Sequence, residues 1–478
     1  MWRGSENRGA ALRRLNGYRK EPKAIRAALA LILGAIGSIP LILLTPPFQV
    51  PDENWHFYRA YELSELKILS EVRNGVSGAV LPDSLPELVK QSVFTADNIL
   101  YPARPTPLAQ TIRHASIPLN SSVRHFVAFP GSAYYSPLPY LPQAFGIAVG
   151  RIFGLGPLGL LYVGRSFNCL AALGLVGFAV YMIPFAGEII LLVGLLPMSL
   201  YLYASQSPDA ALIACALVFS ALSLAAAARG SWKGWELAVA AAASAVFCSV
   251  KPVYFPLLLA GLVPYLFQRG KTASVIRSHA ILLAVTLGTT ASWMIFAHSS
   301  MTLPLSGGHP SEQMSVVMHH PMVLVHALAN SLGPVHIIAY YLETVGVLGW
   351  LTVPMSPWIV YILPLAGLVI LRVLGIPTKV EFPLSRRLWL LALAFTSALL
   401  VFVAMYLLAA GVGQDKITGV QGRYFIPILA LAGLTAIRRA PATQRPTPAW
   451  YGIATVAVIV LVEIATMDAT ILSAFQVF

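Results

Sequence analysis

The chain has 478 residues, of which 57% are hydrophobic and 11% charged, and its 32 Lys and Arg against 19 Asp and Glu give a formal charge of +13. Soluble domains carry about a quarter charged residues, so a water-soluble enzyme or binding module is excluded. The basic excess sits in short segments between apolar runs, the positive-inside pattern of a membrane protein, which excludes a nucleic-acid binder as well.

In chain order, a basic segment at 1–24 (Arg13, Arg14, Arg19, Lys20 and Lys23 among it) precedes an apolar run that ends at Thr45-Pro46-Pro47 without a small-x-small cleavage site. This predicts a cytoplasmic tail and an uncleaved first span at 25–45. The stretch 46–157 is far more polar and holds eight of the nineteen acidic residues, Asp52 to Asp97. It predicts a large external loop with interfacial helices, one of them within Tyr134 to Phe153. Apolar runs of roughly bilayer length follow at 158–183, 188–204, 209–228, 234–250, 252–268, 279–298, 355–374, 388–410, 423–438 and 450–472. With the first span they predict an all-α polytopic bundle of about 11 crossings (range 10–13), with its multi-span part at 158–472 and an external tail at 473–478. The apolar segment 334–352 is assigned as re-entrant or interfacial, because a full crossing there would invert every later loop. With the N-terminus inside, twenty of the 32 Lys and Arg fall on the inner side, including those of the Pro/Thr/Arg-rich loop Arg438 to Pro448. The short outer loops carry only Lys251, Lys416 and Arg423, as the positive-inside rule requires. Cys169, Cys215 and Cys248 all lie in apolar runs and imply no disulfide framework.

The strongest local signal follows the first span: Pro51-Asp52-Glu53-Asn54-Trp55-His56. On a helix starting here, Asp52 and Glu53 share a face with His56. Such a group can act as a general base or hold a divalent metal, magnesium or manganese. It can equally be a helix start, with Asp52 as the N-cap and Glu53 facing the helix dipole. Gly422-Arg423-Tyr424-Phe425-Ile426-Pro427 puts an arginine at the mouth of a span, suited to a phosphate or to snorkelling toward headgroups. Ser207-Pro208-Asp209 reads as a helix cap or a second acidic position. Lys251-Pro252-Val253-Tyr254 offers a lysine as an interfacial anchor or phosphate partner. Arg165 lies inside a span, where a cation needs a partner and marks a functional hypothesis by default, and Glu343 is similarly placed. The histidines of 299–333 (His309, His319, His320, His326) with Glu312 lack a zinc spacing. No phosphate-binding loop, dinucleotide fingerprint or nucleophile elbow is present.

These four motifs, in this order, resemble an uncharacterised family of bacterial polytopic membrane proteins known as domain of unknown function 2142, over about residues 30–440. That family in turn is similar to the GT-C glycosyltransferases, which use polyprenyl-phosphate sugars and place a catalytic carboxylate in the large first external loop. The resemblance implies sugar transfer from a polyprenyl-phosphate-linked donor to a glycan or lipid acceptor, outside a bacterial inner membrane. Asp52 would be the base or a metal carboxylate, with Glu53 beside it, and Asp209 the second acidic position. His56, Arg165, Lys251, Arg423 and Tyr424 would contact substrate, and Trp55, Tyr58, Tyr61, Tyr134 and Tyr135 are available to stack on sugars or to form an interfacial belt. The external tail expected at 473–478 is too short for the C-terminal soluble domain of the better-known enzymes, which would leave acceptor recognition to 46–157 or to a partner. The competing readings are a transporter or flippase of lipid-linked saccharides, which predicts inverted repeats, and a non-catalytic scaffold.

Overall fold

A computed structural model describes residues 23–93, 108–262, 272–302, 309–375, 384–436 and 450–474. Residues 1–22 of the basic tail, Asp97, the loop Arg438 to Pro448 and the last four residues lie outside them.

The first helix, α1 (Lys23–Leu44), is followed by the short helix α2 (Glu53–Ser64). A three-stranded antiparallel sheet comes next, β1 (Glu71–Arg73), β2 (Val76–Pro82) and β3 (Arg124–Ala128), in the order β1-β2-β3. Helices α3 (Ser84–Val93) and α4 (Leu108–Arg113) are inserted between β2 and β3. The bundle proper runs through α5 (Leu141–Ile152), α6 (Pro157–Met182), α7 (Gly187–Gly194), α8 (Pro197–Tyr203), α9 (Asp209–Arg229), α10 (Gly234–Val250) and α11 (Thr272–Phe296). It closes with α12 (Pro310–His319), α13 (Met322–Ser331), α14 (Pro334–Gly346), α15 (Leu363–Leu374), α16 (Leu384–Leu408), α17 (Ile426–Ala436) and α18 (Trp450–Ala474).

Among the described residues six helices are long and apolar enough to cross a bilayer: α1, α6, α9, the Ile276–Phe296 part of α11, α16 and α18. The bent pair α13 and α14, which meet at 66°, would make a seventh if counted as one span. The other runs expected to cross are built from shorter pieces. Proline is the physical reason, since it removes an N–H and clashes with the preceding turn. Pro197 starts α8 and so breaks the run at 188–204, and Pro252 and Pro256 belong to a 3₁₀ stretch, Pro252–Gly261. The re-entrant segment expected at 334–352 is occupied by α14, the second arm of the bent pair, followed by the small hairpin Val347–Leu348 with Val353–Pro354.

Alanine-rich α9 is the hub. It is buried along nearly its whole length, between α6 and α10. Small residues let membrane helices approach closely: a Cβ on Gly34 of α1 would lie 2.4 Å from Leu173 of α6. At one end of this bundle the expected loop 46–157 is a folded subdomain with a core of its own, in which Phe57 and Tyr61 of α2, Leu81 of β2, Leu88 of α3 and Phe129 pack on Ile147 of α5 and Leu160 of α6. The sheet is an addition to the interfacial helices expected in this stretch. Its β1–β2 hairpin turns at Asn74 and Gly75, both with positive φ (50° and 77°), the Asn-Gly pair that a tight two-residue turn requires.

Candidate functional site

The chain direction of each helix brings the C-terminal ends of α1 and α10 and the N-terminal ends of α6, α9 and α17 to the end of the bundle that carries the subdomain. Asp52, Glu53, Arg165, Asp209, Lys251 and Arg423 all belong to these ends. The opposite end is tied by a buried pair, Arg26 Nη1 to Glu188 Oε1 at 3.2 Å.

The adjacent carboxylates Asp52 and Glu53 serve different partners. Glu53 is fully buried. Its Oε2 accepts from Arg165 Nη2 at 2.6 Å and from the Phe48 N–H at 3.0 Å. Its Oε1 accepts from Arg165 Nε at 2.8 Å and from the Gln206 N–H at 3.2 Å. Arg165 is equally buried and also donates to Thr45 O at 2.8 Å and Pro46 O at 3.2 Å. The partner that Arg165 needs is therefore Glu53. Together they pin the end of α1 and the start of α2 to α6 and to the Ser205–Asp209 turn, a closed pair with no side left for a ligand.

Asp52 is open. It occupies the N-cap position of α2 in left-handed backbone, φ 63° and ψ 9°, and its side chain makes no capping hydrogen bond. Left-handed backbone costs an L-residue about 1–2 kcal/mol, least for Asp and Asn. The N-cap expectation is thus met in position but not in chemistry: the carboxylate is 39% exposed and turns instead toward Arg423, whose Nη2 is 3.4 Å from Oδ2.

Arg423 lies on a 3₁₀ turn, Gly422–Phe425, that leads into α17. Its side chain is only 5% exposed; Nε lies 3.6 Å from Asp209 Oδ2, and neither Nε nor Nη1 has a hydrogen-bond partner. Asp209, at the start of α9, is bound at 2.6 Å by Lys251 Nζ. That ammonium also sits 4.0 Å from the centroid of the Tyr424 ring, and the Tyr254 hydroxyl donates to Tyr424 O at 2.6 Å. Three of the four motifs thus converge on Arg423. The C-terminal end of α14 fixes the turn itself: the Gly422 N–H donates to Glu343 Oε2 at 2.7 Å, and the Thr344 hydroxyl donates to Gly422 O at 2.8 Å. A Cβ on Gly422 would come within 2.2 Å of Tyr340 O, so only glycine fits. Glu343, marked in the sequence only as an intramembrane acid, holds the backbone of the site.

His56 completes the cluster from α2. Its Nδ1 is 2.8 Å from the Tyr140 hydroxyl, and its ring stacks on Tyr135 with centroids 6.2 Å apart. Arg59, also on α2, holds this wall by donating to Tyr135 O at 3.0 Å. Tyr140 and Gln206 are contributors that sequence reasoning missed. Gln206 lies directly before Ser207-Pro208-Asp209, whereas Tyr140 carries no signal of its own.

Burial lowers the His56 pKa from 6.5 to about 4, against the opposing pull of Asp52 and Asp209. The unfolded chain gains this proton below pH 6.5 but the folded chain only near 4, so stability falls across that window and is untouched above it. In detergent, the thermal midpoint of His56→Gln should therefore drop less than that of wild type between pH 6.5 and pH 4. Parallel profiles would mean that His56 is not held neutral.

Among the described residues no group of three or more His, Cys, Asp or Glu side chains is arranged to hold a metal ion. The magnesium or manganese site expected on Asp52 and Glu53 lacks its donors, because Arg165 and two backbone N–H groups occupy the Glu53 oxygens. What the arrangement offers is one open carboxylate, a neutral imidazole, and a buried guanidinium with unused N–H groups beside an ammonium. That set can accept a proton and receive an oxyanion.

Comparison with known proteins gives one match: the family described as "Predicted membrane protein (DUF2142)" covers residues 36–432, most of the chain. No curated protein and no solved structure matches.

Proposed function

The chain belongs to the DUF2142 family of predicted membrane proteins, and we propose that it is a glycosyltransferase of the GT-C type, moving a sugar from a polyprenyl-phosphate donor to an envelope glycan or lipid-linked acceptor on the external face of a bacterial inner membrane. The observation that carries this reading is the juxtaposition of an open carboxylate, Asp52, with a buried guanidinium whose Nη1 has no partner, Arg423. Buried polar groups are otherwise almost always satisfied, so an unused guanidinium N–H in such a place calls for an anion.

In the proposed reaction the acceptor hydroxyl gives its proton to the Asp52 carboxylate while its oxygen bonds to the anomeric carbon. The bond from that carbon to the phosphate oxygen breaks, and polyprenyl phosphate leaves with the electron pair. Arg423 receives the developing charge on the phosphate, with Lys251 held close by through Asp209. A lipid-linked donor also accounts for a site built on the ends of apolar helices without a nucleotide-binding motif. His56, Tyr135 and Tyr140 would form the wall against the sugar.

The test supplies membranes containing the protein with radiolabelled polyprenyl-phosphate sugars and follows label into acceptor glycan. Wild type should transfer. Arg423→Lys keeps the charge but loses the planar fork, and should lower transfer by about one to two orders of magnitude, the worth of one or two hydrogen bonds to a charged group. If wild type consumes none of the donors tested, the transferase reading falls. The flippase reading then leads, since the bent pair α13–α14 is the kind of broken helix that transporters use at their sites.

A further inference from the structure

Next to the Arg423 turn lies a cleft of about 450 Å³, between α14, α15 and α17 and reaching α7 and α16. Its volume falls within the usual range for small-molecule sites. Its walls include Tyr340 and Thr344 of α14, Leu368 of α15, and Phe425, Leu429 and Ala432 of the Arg423 strand of chain. Ile337 and Leu365, which line it, are about half exposed, at 52% and 49%, and most of the exposed residues of α14 and α15 are apolar. The cleft therefore opens sideways, toward lipid.

The two ends of the cleft differ. Toward Ala436 the side chains that line it are apolar, among them Leu368, Leu429 and Ala432. Its head is lined by Phe425 and Thr344, and the Thr344 hydroxyl is bonded to the carbonyl of Gly422, the residue before Arg423. An apolar slot whose head adjoins the turn that carries a buried, unsatisfied guanidinium fits a molecule with one long hydrocarbon tail and an anionic head. We propose that this cleft holds the tail of the polyprenyl phosphate, which enters from the bilayer between α14 and α15 with its phosphate on Arg423. The inference rests on the reading of Arg423 as the phosphate site, and it adds where the lipid lies and how it arrives. A two-tailed phospholipid has the same head chemistry, and competition between the two lipids tells them apart.

The test uses the full chain in nanodiscs with a polyprenyl phosphate that carries a photoreactive group in its tail. Labelled peptides are then mapped by mass spectrometry. Label should concentrate on Pro334–Gly346 and Ile426–Ala436. Unlabelled polyprenyl phosphate should compete at a concentration at least about tenfold below that of phosphatidate, a difference of about 1.4 kcal/mol in binding. Ala432→Phe, which fills the trough, should cut labelling about tenfold or more, and Ala436→Phe serves the same purpose if that variant does not fold. Asp52→Asn should label like wild type although its sugar transfer falls by orders of magnitude. Label spread evenly over the lipid-facing helices, or equal competition by phosphatidate, would overturn the proposal. Concentrated label in a wild type that transfers nothing would leave the cleft standing and remove the transferase reading, so the two failures are distinguishable.

Discussion

Glu53→Gln should leave little folded protein in the membrane at an expression level where Asp52→Asn accumulates normally. Four donor groups converge on the Glu53 carboxylate, two from Arg165 and two from the backbone. Glutamine keeps the shape but removes the charge, and turns one acceptor oxygen into a donor that faces donors. Arg165 is then a buried cation without a counter-ion, fully enclosed and two turns into α6. Breaking a buried pair by removing one partner costs about 3–5 kcal/mol, against total stabilities of about 5–15 kcal/mol. The check is the yield of monodisperse protein in detergent and its thermal midpoint, with Asp52→Asn as the control. A second variant separates the charge from the fold: Glu53→Gln with Arg165→Met removes both charges, and should recover much of the loss, because apolar replacement of a whole buried pair is often neutral. A Glu53→Gln protein that is fully stable but inactive would reverse the assignment and make Glu53 the reacting group.

Spacing along the chain could not make that distinction. Asp52 and Glu53 are neighbours, and which of them faces Arg165 depends on the left-handed turn at Asp52, a tertiary outcome with no local signature. Much else was legible. The ends of the apolar runs, taken in alternation, put Asp52, Asp209, Lys251 and Arg423 on one side, and they do meet there. Arg165, by its depth in a run, demanded a partner and has one. Two features were hidden for different reasons. The β1–β2 hairpin was announced by Asn74-Gly75, but that local signal was outweighed by a composition that read as helical throughout. The break at Pro197 and the 3₁₀ stretch around Pro256 were outweighed by hydrophobicity, which is averaged over a window while a proline acts at one peptide. Glu343 was visible as an intramembrane acid, yet its partner is a backbone N–H that no sequence pattern shows.

Asp52→Asn should lower sugar transfer by about two to four orders of magnitude, the range for loss of a general base, while the protein folds and takes up donor lipid as before. Asparagine is the right probe, because it shares with aspartate a tolerance for left-handed backbone that alanine lacks, and Asp52 sits at φ 63°. Its amide oxygen can still accept from Arg423, so the guanidinium is not released; what is lost is the ability to take a proton. Asp209 cannot stand in for it. That carboxylate is largely buried, bound at 2.6 Å by Lys251 and flanked by Arg423, and a carboxylate engaged by two cations is a poor base. Removing it should loosen Lys251 and Arg423, which weakens donor binding. Removing Asp52 should strike the chemical step alone, so the two variants separate in KM against kcat. A variant that transfers at the wild-type rate would remove Asp52 from the chemistry, and with it the reason for reading this end of the bundle as an active site rather than a lipid-handling one.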